Sequence, residues 1–128
     1  MAGFDFSERS RRNLQGVHPD LVRVMWRAIR ITPIDFVITE WLRTEARQRQ
    51  LVDAGASRTM RSRHLTGHAV DVAVLIGREV RWDWPLYVQL SRVVKEASVI
   101  ERVAITWGGD WPKFRDGPHY ELRRAEYP

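Results

Sequence analysis

The chain has 128 residues and no cysteine. That absence excludes disulfide staples, thiolate metal sites and cysteine nucleophiles, and it lets the chain pass between reducing and oxidising compartments unchanged. Long apolar runs are missing as well. The longest, Val72 to Ile76, is far too short to span a bilayer, so no integral membrane segment is expected. Residues Met1 to Arg12 carry charges where a secretory leader would need an apolar stretch. No signal peptide is therefore expected, and the chain is expected to be made in the cytoplasm. Lysine is scarce: Lys95 and Lys113 are the only two among 21 basic residues. No repeat, low-complexity tract or Gly/Ser/Pro-rich linker divides the chain, which reads as one domain over residues 1–128.

What is present is ordinary for a globular protein. Hydrophobic residues make up 44% and charged residues 29%, which excludes intrinsic disorder as the main description. A chain of this length can bury about two-thirds of its surface on folding. The net charge of +5 favours an anionic partner such as nucleic acid, an anionic cell surface or a carboxylate-rich polymer. Solubility alone is the plainer explanation, because the basic residues are spread along the chain and the runs Arg9 to Arg12 and Arg58 to Arg63 are short.

His18-Pro19-Asp20 followed by Leu21, Val22, Met25, Ala28 and Ile29 reads as a helix with proline in its first turn. It should end before Thr32-Pro33. Phe36 to Ile38 suggests a short strand, and Thr44 to Asp53 a polar helix stopped by Gly55. Ala69 to Ile76 reads as a strand, Gly77-Arg78 as a turn and Glu79 to Trp82 as a second extended piece. A helix is expected from Asp83-Trp84-Pro85 through Ala97, then strands over Arg102 to Trp107 and His119 to Leu122. The fold class this implies is α+β, a small antiparallel sheet packed with about three helices.

Without cysteine, metal ligands must come from His, Asp and Glu. The stretch Ser62-Arg-His64-Leu-Thr-Gly67-His68-Ala69-Val70-Asp71 is the most informative in the chain. A loop histidine, a glycine that lets the backbone turn and an aspartate inside a strand can bring imidazole and carboxylate together. Ala69 shares a strand face with Asp71 and leaves room beside it, while Val70 and Val72 face a core. A catalytic zinc site needs a third protein ligand and an open position for water. Asp116-Gly117-Pro118-His119 can supply both His119 as ligand and Asp116 as a base for the water, returning the proton later to a leaving amine. His68 points to the other face and His18 is structural. Of the six tryptophans, Trp26, Trp41 and Trp107 are expected in the core, with Trp41 and Trp107 near the site.

The pattern Ser-x-His-x-x-Gly-x-Ala-x-Asp, followed by Asp-x-x-His, resembles the zinc peptidases that cut bacterial cell-wall peptides. That family includes D-Ala-D-Ala carboxypeptidases and phage L-alanyl-D-glutamate endopeptidases (endolysins). Ser62, His64, Gly67, Ala69 and Asp71 match the first motif, Asp116 and His119 the second, and the resemblance covers most of the chain. It implies zinc held by His64, Asp71 and His119, Asp116 as catalytic base and Ser62 as a support of the loop. The family also places an arginine at the end of an earlier strand to bind substrate and oxyanion, which makes Arg43 the candidate, although Trp41-Leu42 stands where carboxypeptidases show Gly-Tyr. That departure, and Asp rather than Glu as base, both favour the endopeptidase branch.

The resemblance thus implies a zinc-dependent endolysin acting on bacterial peptidoglycan, with no separate wall-binding module. A monomer is expected, made in the host cytoplasm and acting in the periplasm after release. Two rivals keep the fold: a D-Ala-D-Ala carboxypeptidase, and a metal-bearing wall-binding module without catalysis. A nucleic-acid binder has only the charge in its favour, and no nucleic-acid partner is expected.

Overall fold

Strand β2 (Ala69–Ile76) is the axis around which the other elements assemble. Its β-branched residues Val70, Val72 and Val74 are fully buried, and most of the strand is covered on both faces, as its nearly continuous apolar sequence requires. The computed structural model behind this description covers residues 3–40, 49–50, 52–54 and 63–128.

Strand β1 (Asp35–Glu40) runs antiparallel along one edge of β2, from Asp35 opposite Leu75 to Glu40 opposite Asp71. The other edge is shared. Strand β3 (Glu79–Arg81) pairs with the end of β2 across the Gly77-Arg78 turn, and β5 (His119–Leu122) pairs with its beginning, at Ala69 to Asp71. Strand β4 (Ile105–Trp107) closes the sheet on β5, giving the order β1-β2-β5-β4, with every pairing antiparallel. The α+β expectation holds.

Helix α2 (Pro19–Ile31) begins and ends where the sequence places it. The His18 ring accepts the Asp20 N–H at 3.1 Å, proline occupies the first turn, and Thr32 before Pro33 stops the helix. Its buried face, Leu21, Val24, Met25, Ala28 and Ile29, meets Leu90, Val94 and Ala97 of α3 (Trp84–Glu101). Full burial of each of the larger aliphatic side chains among these contributes about 1.5–3 kcal/mol, so this two-helix layer against the sheet forms the bulk of the core. Helix α3 ends on Arg102, a non-glycine residue in the left-handed region, with Val103 N–H reaching back to Ser98 O and Arg102 N–H to Val99 O. Because Arg102 and Val103 complete that cap, β4 starts at Ile105 rather than at Arg102, where the sequence suggested.

A short helix absent from the sequence reading, α1 (Glu8–Asn13), follows the N-cap Ser7. It has no amphipathic stripe; its purpose lies in two polar side chains. Ser10 Oγ accepts Ile38 N–H at 3.1 Å and Asn13 Nδ2 donates to Ile38 O at 2.7 Å, so both backbone groups on the outer edge of β1 are satisfied. Of the helix expected over Thr44 to Asp53, residues 49–50 and 52–53 are helical, and the remainder lies outside the described residues.

Candidate metal centre

The site is assembled where β2 and β5 pair. Their register sets Asp71 directly opposite His119, and Val72 N–H bonds to Pro118 O at 3.0 Å, so the turn before β5 is held against β2. That turn, Asp116 to His119, is closed by His119 N–H on Asp116 O at 3.2 Å and tied to Gly108 by Asp116 N–H on Gly108 O at 3.0 Å. Gly108 must lack a side chain: a Cβ there would collide with Asp116 O and press on the His119 Cβ. His64 comes from a single 3-10 turn, Arg63–Thr66, which leads into β2 through Gly67 at φ +75°. A Cβ on Gly67 would strike Gly16 O, and the Gly67 carbonyl accepts His18 N–H at 2.8 Å. The glycine of the first motif is therefore both a turn former and a contact with the start of α2.

These constraints bring three ligand atoms of His64, Asp71 and His119 within 4.8 Å of one another. His64 Nε2 lies 3.4 Å and His119 Nδ1 3.2 Å from the same oxygen, Asp71 Oδ1, and the two rings stand at 70° with centroids 5.2 Å apart. Both histidines are buried and Asp71 nearly so. Two imidazoles and a carboxylate converging on one point form a donor set suited to a divalent ion. The group could hold a metal ion, and among the described residues it is the one cluster of three or more such donors.

The electrostatics follow from this convergence. Burial pushes the Asp71 carboxyl up, but hydrogen bonds from His119 and then His64 outweigh it and hold the group well below the usual carboxylate range. Burial likewise opposes charge on His119, yet hydrogen bonds to Asp71 and Glu121 raise it to about 9. Each ring nitrogen of His119 thus faces a carboxylate, and both contacts favour a proton on the ring. A metal on Nδ1 would replace the proton aimed at Asp71 and leave the Nε2–H on Glu121 in place.

Glu121 is the residue that sequence reasoning missed. Its Oε1 accepts from His119 Nε2 at 2.9 Å, while Arg63 stands 3.9 Å and Arg124 3.8 Å from its other oxygen. Burial acts against its charge, but the His119 hydrogen bond prevails and the carboxyl is held below its ordinary value. The Arg63 guanidinium also donates to Leu122 O at 3.1 Å, linking the His64 turn to β5. The available signal was strand periodicity: Glu121, two residues beyond His119, lies on the same face of β5, which is buried at every position.

Asp116 occupies the turn immediately before His119, as the sequence places it. His68 is not part of the cluster; its Nδ1 lies 2.6 Å from Thr66 Oγ1 and its ring faces His18. Ser62, Arg43 and Trp41 lie outside the described residues. Trp107 is buried and donates Nε1–H to Gly117 O at 2.7 Å. Trp26 is only partly buried, its ring beneath Arg11 and Arg30. Trp111 packs with its ring centroid 5.0 Å from that of His119 and forms one wall of the site.

Comparison with known proteins agrees with this geometry. The family described as phage L-alanyl-D-glutamate peptidase matches residues 2–125. The L-alanyl-D-glutamate peptidase of Escherichia phage T5 is 30% identical, over 97% of this chain and 93% of its own. The enzyme of the same name from Listeria phage A118 is 37% identical over 73% of this chain but only 32% of its own length. Among solved structures, the crystal structure of the Serratia marcescens L-Ala D-Glu endopeptidase ChiX superposes with a TM-score of 0.92. It is 47% identical, and the match covers 98% of this chain and 94% of that one.

Proposed function

Since the chain belongs to the phage L-alanyl-D-glutamate peptidase family, we propose that it is a zinc-dependent endolysin that hydrolyses the L-alanyl-D-glutamate amide bond of peptidoglycan stem peptides. The observation that carries this reading is the convergence of His64, Asp71 and His119 within 4.8 Å, in a chain whose residues 2–125 match the family.

His64 Nε2, Asp71 Oδ1 and His119 Nδ1 are the atoms that would hold the ion, since each already points at the common centre. Zinc bound there would supply a Lewis acid, able to acidify water and to polarise the scissile carbonyl. Glu121 fixes the His119 ring by accepting its Nε2–H, so that Nδ1 is the nitrogen presented to the site. Asp116 takes a proton from the attacking water. The water oxygen joins the alanyl carbonyl carbon, the C–N bond breaks, and Asp116 returns the proton to the departing D-glutamate nitrogen. Arg43 supplies positive charge to the developing oxyanion, and Ser62 braces the loop that carries His64.

The protein works as a monomer, made in the host cytoplasm and reaching the wall from the periplasmic side once the inner membrane is breached. No helix among the described residues is long and apolar enough to cross a membrane.

Substitution at Asp116 tests the assignment of roles. Asp116→Ala should keep zinc stoichiometry while losing release of stem peptide by about 10²–10⁴-fold. His119→Ala should lose both. Full activity in Asp116→Ala would remove Asp116 from the chemistry.

A further inference from the structure

Two large indole rings stand exposed to solvent at the start of α3. Trp82 is 62% and Trp84 43% exposed, with Val80 and Ile76 of the β2–β3 hairpin also exposed. Neither ring is loose. Trp82 lies parallel to Tyr87, with an interplanar angle of 4° and centroids 6.0 Å apart. Tyr87 is itself clamped, its hydroxyl accepting Val74 N–H at 3.1 Å and donating to Arg81 O at 2.8 Å. Trp84 stacks on Trp107 at 5.7 Å and 25°, and Trp107 is pinned through Nε1–H to Gly117 O. Each exposed indole therefore has one face backed by a fixed aromatic ring and surface left open to water.

Trp84 also reaches the site, and Tyr87, which backs Trp82, meets the same turn. A Cβ at Gly117 would come within 3.2 Å of both the Trp84 ring and Tyr87 Cβ. Gly117 lies between Asp116 and His119, so the aromatic wall rests directly on the turn that delivers those two residues. Ordered, flat, adjacent apolar surfaces at the rim of a polar site are a recognition feature rather than scattered surface hydrophobicity.

We propose that Trp82 and Trp84 form a sugar-stacking platform that takes the glycan strand to which the stem peptide is attached. This rests on the peptidoglycan reading above. In that polymer L-alanine is the first residue of the stem, joined through its nitrogen and a lactyl group to an amino sugar. One residue spans at most about 3.6 Å, so a sugar ring lies only on the order of 10 Å from the bond to be cut. A surface resting on Gly117 is within that reach. The C–H face of a pyranose covers an indole while its hydroxyl edge stays hydrated, which suits rings that are backed on one side and wet on the other. The platform would place the glycan so that the first stem residue reaches the turn that carries Asp116 and His119.

The test uses the zinc-loaded full chain and two measurements. The first is binding of peptide-free glycan strands, prepared by stripping stem peptides with an amidase and followed by calorimetry. The second is the ratio of kcat/KM for a disaccharide-linked stem peptide to that for the same peptide without sugar. Wild type should bind the bare glycan and favour the sugar-bearing substrate. Trp82→Ala and Trp84→Ala should each weaken glycan binding and lower the ratio by about tenfold, with Trp84→Phe retaining most of both. Wild type that ignores bare glycan and cuts both substrates equally overturns the platform while leaving the peptidase intact. Glycan binding that is lost in Trp82→Ala, in a protein that cuts neither substrate, upholds the platform and overturns the peptidase. Loss of a dimer in Trp82→Ala with glycan binding unchanged would assign the face to a second copy of the chain and overturn the proposal.

Discussion

The imidazole of His119 is held from two sides, and this determines what it can offer a metal. Its Nε2 is committed to Glu121 at 2.9 Å, so Nδ1 faces Asp71 and the common centre. Glu121→Gln keeps the shape but can present its amide nitrogen to the ring, removing the fixed preference for one tautomer. Zinc affinity should fall by about 10–100-fold, measured by competition with a chromogenic chelator, with the far-ultraviolet circular dichroism unchanged. Unaltered affinity would make Glu121 a buried ion-pair partner of Arg63 and nothing more. The convergence of His64, Asp71 and His119 was legible in the sequence, because each sits in a short motif whose glycine or strand alternation dictates where the side chain goes. Glu121 was not, since an acidic residue near the end of a strand looks like any solvated charge until Arg63 and His119 are seen to enclose it. The contributions of Ser62 and Arg43 rest on the motif alone.

Among the elements, the strands and the two long helices could be read from apolar runs and punctuation, and β2, β5 and α2 have the limits expected of them. What escaped was structure made by polar contacts at a distance. Helix α1 exists to cover the edge of β1 through Ser10 and Asn13, a role with no periodic signature. The late start of β4 follows from Arg102, whose φ of 59° places it in a region that favours glycine. Arg102→Gly should therefore raise stability by about 0.5–1 kcal/mol, the relieved backbone strain exceeding the added freedom of the unfolded chain. Chemical denaturation would show it as a higher midpoint with an unchanged slope; a lower midpoint would mean that the arginine side chain contributes more than its backbone costs.

At the scale of the whole molecule, the C-terminal residues are drawn back to α2 by Tyr127, whose hydroxyl donates to Asp20 Oδ2 at 2.6 Å. That hydrogen bond is the main cause holding the Asp20 carboxyl below its usual value of 3.8, and burial works against it. A depressed carboxyl stabilises the fold above the unfolded-state pKa and ceases to do so as pH falls through the lowered one. Tyr127→Phe should thus cost stability at pH 7, by no more than about 1 kcal/mol for so exposed a pair, and the cost should fade at acid pH as the lowered carboxyl takes up its proton. Equal loss at both pH values would assign the effect to packing of the ring against His18, whose centroid lies 5.3 Å away. The candidate metal centre lies where β2, β5 and the turn before β5 meet, and the Trp84 ring rests on that turn. The central claim is that this junction is a zinc-dependent catalyst for one particular amide bond. Mass spectrometry of fragments released from purified Gram-negative peptidoglycan, with chelator and after zinc is restored, tests it most directly. Peptides beginning at D-glutamate, absent with chelator and recovered with zinc, are the predicted result; release of a single D-alanine, or cleavage indifferent to chelation, would contradict it.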